Sequence, residues 1–421
     1  MIESSPPFNV PPPMHILLLH QLFSRVDEPG LTQHYDYCRH LVVAGHRVTV
    51  LVGTRSYLTG QPTAHQRREL VEPGLEVIPC AVRASVHRSF FQRALGFFSF
   101  MVSAFLRGLS IRDVDLVWCT SPPLPQVCSA WALSWLMRAP LVFEVRDPWP
   151  EAAVQVGVLH NRLLIALARA VEDFLYRRAR RVVINSPGYI PYMQQHRVPE
   201  AKIVLVPNGV NLALFTEAAM RSGPSFRHRQ GLEKKFIALY TGAHGLSNDL
   251  DTVLQAAERL RHQRRIHFVL VGDGKEKPRL MAEAQRLGLE NVLFLPAVPK
   301  EDIPRVLASA DCGLAVLKGI PLFATTYPNK VFDYMAAARP VVLAIDGVIR
   351  EVVERAGAGV AVPPGDARAM AEAVRALSKD SVRARRMGRS GRACVEAEFD
   401  RRAIARWMEH VLLEAAASRP I

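Results

Sequence analysis

Short, uninterrupted apolar runs recur along this chain, and stretches of helical spacing separate them. Met14–His20, Arg47–Gly53, Asp115–Cys119, Leu141–Val145, Arg181–Asn185 and Ile203–Val206 form a first series. Phe236–Tyr240, Phe268–Gly272, Val292–Leu295, Gly313–Leu317, Val341–Ile345 and Val360–Val362 form a second. A strand apolar on both sides must be covered on both faces, so each series predicts a parallel sheet between helices. In Leu250, Val253, Leu254, Ala257 and Leu260 the apolar residues follow one helix face. Pro207-Asn208-Gly209-Val210 and the polar stretch 211–235 interrupt the pattern and mark a boundary. A chain of 421 residues is also too long for one core. The expected class is α/β with two Rossmann-like domains, 14–207 and 208–400, then a final helix in 401–421. In such folds ligands sit at the carboxyl ends of the strands, so the cleft between the domains is the expected site.

Lys and Arg exceed Asp and Glu by 53 − 39 = 14. That excess suits anionic lipid, polyanions or phosphate-bearing ligands, and equally a plain basic surface. Nucleic acid is not expected, because no helix-turn-helix, zinc-finger or RNP-type pattern occurs. Six cysteines without CxxC spacing read as small core residues in a reducing compartment, not as a metal site. Met1–Pro13 has Glu3 and five prolines but no basic start or apolar segment, so it reads as a disordered tail and not a signal peptide. No apolar run reaches the roughly 18–20 residues that span a bilayer.

Several loops at strand ends carry chemistry. Pro29-Gly30 follows the first strand, with Gly30 expected as a donor contact. Thr241-Gly242-Ala243-His244-Gly245 and Val271-Gly272-Asp273-Gly274 follow strands of the second series. Gly242, Gly272 and Gly274 would let backbone N–H groups approach phosphate, with His244 as a donor and Lys275 and Lys277 as cations; plain turns with an exposed histidine read equally well. In Thr325-Thr326-Tyr327-Pro328-Asn329-Lys330-Val331-Phe332-Asp333 a polar loop enters a helix. Thr325, Thr326, Asn329 and Lys330 would meet phosphate or sugar there. Asp333 would accept from two adjacent ribose hydroxyls, or else stand as a solvated charge. In Phe143-Glu144-Val145-Arg146-Asp147-Pro148-Trp149-Pro150-Glu151, Asp147 or Glu151 could position an acceptor hydroxyl or take its proton; the plainer alternative is an Arg146–Asp147 pair clamping the loop. Arg83–Arg107 holds six phenylalanines and no acid, which suits a membrane interface or a core helix with basic ends.

Taken in order, these motifs resemble bacterial family 4 retaining glycosyltransferases of O-antigen and capsule clusters, in the branch of fucosaminyl-type amino-sugar transferases. The likeness spans roughly residues 14–418. It implies a GT-B fold, a nucleotide-sugar donor in the second domain, an acceptor in the first, retention at the anomeric carbon, no metal requirement, and a last helix crossing back onto the first domain. Asp333 falls at the second Glu of the family's E-x7-E motif and Thr325 at the first, so that half is missing. The family's basic pair for the diphosphate falls near Gly242 and Asn248, neither of them basic. Its first-domain histidine falls at Arg146. The resemblance implies transfer of a sugar, an N-acetylated deoxy sugar being one candidate, from a UDP-linked donor to a lipid-linked or saccharide acceptor. The enzyme would act as a peripheral protein on the inner face of the plasma membrane. A sugar-nucleotide epimerase and a non-catalytic nucleotide-sugar-binding partner are the alternatives.

Overall fold

A computed structural model describes residues 12–55, 62–63, 66–83 and 90–417. The expected tail lies outside these, residues 12 and 13 apart, and so does Arg88.

The first unit runs β1 (His15–Leu19), α1 (Gln33–Val43), β2 (Arg47–Gly53), β3 (Glu69–Glu72), β4 (Leu75–Cys80), α2 (Phe90–Gly108), β5 (Leu116–Ser121), α3 (Pro125–Met137), β6 (Leu141–Val145), α4 (Glu151–Gln155), α5 (Arg162–Arg178), β7 (Arg181–Ile184), α6 (Ile190–Gln195) and β8 (Ile203–Leu205). Its sheet has the order β3-β4-β2-β1-β5-β6-β7-β8. All neighbours are parallel except β3, which pairs antiparallel with β4 at the edge. The sequence reading missed both of these strands. Leu70 is exposed and β3 carries Glu69 and Glu72, so the hairpin lacks the apolar signature of a covered strand.

The second unit runs α7 (Glu217–Arg221), α8 (Gly223–Arg229), β9 (Phe236–Thr241), α9 (Leu250–Arg259), β10 (Ile266–Val271), α10 (Lys277–Arg286), β11 (Val292–Leu295), α11 (Ile303–Ala308), β12 (Cys312–Val316), α12 (Asn329–Ala336), β13 (Val341–Ala344), α13 (Val348–Arg355), β14 (Gly359–Ala361), α14 (Ala367–Lys379), α15 (Ser381–Glu398) and α16 (Arg401–Ala417). Its parallel sheet has the order β11-β10-β9-β12-β13-β14. In both sheets the chain first builds outward in one direction, then returns to the centre and builds in the other. The reversal opens a crevice beyond β1 and β5, and another beyond β9 and β12.

Two stretches of chain cross between the units side by side. Val210 N donates to the Phe399 carbonyl and Arg401 N to the Val210 carbonyl. After the second crossing α16 returns to the first sheet. Ile404, Met408, Val411 and Leu412 join the cluster built by Ile16, Leu18, Val50 and Trp118.

The cysteines are free, four of them buried. Among the described residues no helix is long and apolar enough to cross a membrane, and no group of three or more His, Cys, Asp or Glu could hold a metal.

Candidate functional site

The ends of β1, β5 and β6 build one wall of the interdomain cleft. Arg146, the first residue after β6, is buried. It donates to Gln33 Oε1 at 3.2 Å and Glu144 Oε1 at 3.3 Å. Glu144 Oε2 accepts from Trp118 Nε1 at 3.0 Å and meets His34 Nε2 at 2.9 Å. Burial pushes the Glu144 carboxyl up, but His34, Arg146 and Trp118 together outweigh it and hold its pKa below the usual value. The expected Arg146–Asp147 clamp is therefore not what forms, because Glu144 sits two residues back on the strand and takes the guanidinium.

That leaves the Asp147 carboxylate open to the cleft. Tyr189 donates to it at 3.3 Å. Surrounding protein strips part of its hydration and raises its pKa, although Arg146 and Tyr189 oppose the rise. Glu151 behaves otherwise. It opens α4, accepts from Gln155 at 2.8 Å and Arg169 at 2.9 Å, and does not line the cleft. Burial favours its neutral form, yet those two partners prevail and lower its pKa. Arg169 and Gln155 thus hold the Glu151 carboxylate in its charged form, turned away from the cleft lining.

His20 was not foreseen. It follows β1 at the crevice, packs with its ring centroid 4.2 Å from that of His34 at a tilt, and meets Thr120 Oγ1 through Nδ1 at 2.8 Å. Its Nε2 has no partner and the residue lines the cleft. Burial, with His34 and Arg146 adding to it, holds its pKa well below the ordinary value, so the ring is neutral at pH 7. A histidine ending the first strand was the available signal.

On the opposite wall the two glycine loops are locked together. Gly242 N donates to the Val271 carbonyl and His244 N to the Asp273 carbonyl. Gly272 has φ +157°, and a Cβ there would lie 1.9 Å from the Gly242 carbonyl, so only glycine fits. Gly274 packs on the His244 backbone in the same way. His244 is not an exposed turn residue. It is buried between Tyr240 and Phe294 with both ring nitrogens unpartnered, and burial pushes its pKa down to about 4. Lys275 is exposed at the loop tip. Lys277 bonds the Gly272 and Leu295 carbonyls at 2.7 and 2.9 Å, so it secures strand ends and does not face a ligand.

Lys330, in the first turn of α12, reaches Tyr240 Oη at 2.7 Å and Asn248 Oδ1 at 3.3 Å beside Gly242. Burial lowers its pKa to about 7. Asn329 and Thr326 line the cleft, and Asn329 Oδ1 is buried without a partner. Thr325 turns its hydroxyl back onto the Leu322 carbonyl, while its own carbonyl accepts from Ser186 of the first unit at 2.5 Å. Asp333 lies one turn beyond Asn329 and is only 6% exposed. It is no solvated charge: Lys300 Nζ contacts its Oδ2 at 2.6 Å. Lys300 was missed, because one lysine in a polar loop carries no pattern of its own. Its backbone N and that of Glu301 bond the Glu28 and Val26 carbonyls of the first unit. Gly30 closes that same first-unit loop and is exposed, outside the second unit where donor contacts were expected.

One cavity of about 760 Å³ is reached by His20, Arg146 and Asp147 from the first unit and by Thr326 and Asn329 from the second; the glycine loops, Lys330 and Asp333 lie outside its lining.

Residues 31–209 match the family described as glycosyl transferase 4-like domain, and residues 235–380 the family described as glycosyl transferases group 1. The chain carries both glycosyltransferase domains. It is 26% identical over 347 residues to WcaI of Escherichia coli strain K12, named as a colanic acid biosynthesis glycosyl transferase; 80% of this chain and 85% of that one are covered. It is 24% identical to the O-antigen chain mannosyltransferase C of Escherichia coli, over 58% of this chain and 62% of that one. Among solved structures, a sucrose-phosphate synthase from Thermosynechococcus elongatus superposes with a TM-score of 0.77 at 20% identity, covering 96% of this chain and all of that one. Anabaena HepE, solved with UDP-glucose, gives 0.72 at 18% identity over 95% of this chain and all of that one. The fold of this glycosyltransferase is GT-B.

Proposed function

We propose that this glycosyltransferase moves a sugar from a UDP-linked donor held by the second domain to a lipid-linked saccharide held by the first, with retention at the anomeric carbon. The reaction would serve cell-surface polysaccharide synthesis at the inner face of the plasma membrane. The observation that carries this reading is Lys330. It is a partly dehydrated cation between a glycine loop and the start of α12, and the neighbouring Asn329 opens onto the cleft across from Asp147.

In this reading the diphosphate lies against the glycine loops and the helix start, where free N–H groups and the helix dipole favour anions. Lys330 rather than a metal ion neutralises the leaving oxygen. Asp333, oriented by Lys300, accepts from the ribose hydroxyls through its second oxygen. Asp147 positions the acceptor sugar by accepting from a hydroxyl next to the reacting one, while the reacting hydroxyl points its hydrogen at the phosphate and attacks the anomeric carbon on the face the phosphate leaves. The carbon–phosphate-oxygen bond breaks, and the hydroxyl proton passes to the departing phosphate. The names of the relatives support a polysaccharide setting, and the UDP-glucose complex of HepE supports the nucleotide.

Thermal unfolding with UDP, GDP and ADP tests the donor. A ligand binding only the folded state adds about 2.7 kcal/mol at a hundredfold excess over its dissociation constant. A shift with UDP that disappears in Asp333→Ala is expected; no shift with any nucleotide would sink the reading. Sugar conversion without acceptor would mark an epimerase instead.

A further inference from the structure

The same cavity continues beyond the reacting groups as an apolar groove inside the first domain. Its polar lining, including Arg146, Asp147, Asn185, Asn208 and Asn329, belongs to the interdomain end. The lining also takes Phe97 and Met101 from α2, Leu164, Leu167 and Val171 from α5, and Leu159 from the segment before α5. Small residues, Ala152 and Ala153 of α4 and Ala168 of α5, leave its floor open. A saccharide needs hydrogen-bond partners along its length, and this apolar part lacks charged ones among the described residues. A hydrocarbon chain needs none.

The mouth points to the source of such a chain. Phe98 of α2 and Leu167 of α5 line the groove and are also 53% and 61% exposed. Beside them Leu163 is 82% exposed, and Val102 and Leu106 continue the bare face of α2. An apolar rim of this extent marks a surface that meets lipid or protein. The sequence from Val77 to Arg112 holds no acid, which complements anionic headgroups and diphosphates rather than a basic partner.

We infer that this groove holds the hydrocarbon chain of a lipid-linked acceptor and steers its head toward Asp147. The inference rests on the lipid-linked acceptor proposed above and adds a chain-binding site, distinct from mere membrane adsorption.

Isothermal titration with inorganic diphosphate, geranyl diphosphate and farnesyl diphosphate, below their aggregation limits, tests it. Each added isoprene unit should tighten binding about tenfold or more. Ala168→Trp and Ala153→Trp fill the groove without touching the buried core, and should each remove most of that gain. Leu163→Glu lies on the outer rim and should keep it. Affinity independent of chain length, or a gain that survives both tryptophans, overturns the inference. So does a gain lost equally in Leu163→Glu, which would mean surface adsorption. UDP-induced thermal stabilisation is read on the same samples. If it persists while the chain-length effect is absent, the groove fails alone; if only the chain-length effect is seen, the donor assignment fails and the groove stands.

Discussion

Lys330 ties the charge state of the site to pH. Its folded pKa of about 7 lies below the ordinary 10.5, with burial the cause. Between those values the unfolded chain binds the extra proton, so this residue's contribution to stability rises with pH across the window and is lost below it. Urea unfolding from pH 7 to 9 should show that rise, flattened in Lys330→Met. A bound diphosphate reverses the preference and raises the pKa, so UDP affinity should fall as pH rises above 7. Titration of Lys330→Arg, always charged, should show no such fall. Asp147 needs a different readout. Asp147→Asn should lower kcat/KM for acceptor about a hundredfold while leaving the UDP dissociation constant unchanged. Asp333, Lys330, Asn329 and Asp147 were candidates on sequence grounds, because each stands at a strand end or in the first turns of a helix. Their partners were not. Lys300 and Glu144 pair by geometry, and Glu151, equally plausible on paper, is occupied by Arg169.

At the scale of elements, the two glycine loops and α2 carry the most specific expectations. Gly272→Ala would place a methyl group against the Gly242 carbonyl and should cost at least about 2 kcal/mol by thermal unfolding, with UDP binding lost alongside. The α2 helix is core on one face and bare on the other. Gly96, Phe100, Ala104 and Gly108 recur every four residues on its buried face, and a Cβ on Gly108 would strike Leu133 of α3. Phe98, Val102 and Leu106 lie bare on the other face. Phe98→Glu combined with Leu106→Glu should reduce co-sedimentation with anionic vesicles several-fold without lowering Tm; unchanged sedimentation would leave that face without a membrane role. Covered parallel strands were readable because both faces are apolar. The β3–β4 hairpin was not: β3 is an edge strand with one wet face, and Glu76 and Pro79 interrupt the apolar run of β4.

For the whole molecule, the return of α16 binds the two units into one. Arg401 and Asp36 pair at 2.9 Å with little exposure, and the same guanidinium contacts the Gly209 carbonyl at the crossing. Removing one partner of a buried pair costs about 3–5 kcal/mol. Arg401→Ala should therefore lower stability by about 3 kcal/mol in urea unfolding, and Asp36→Asn by a similar amount. The covered parallel strands, β4 apart, and the glycine turns were set by sequence alone. Each follows from spacing within a few residues, where backbone sterics and burial act directly. Tertiary structure alone decided which charges meet, as with Lys300 before α11 and Asp333 within α12, or Arg401 and Asp36 separated by 365 positions. It also decided that the cleft runs on into an apolar groove. Those features depend on how close distant elements come, and no local pattern encodes that distance.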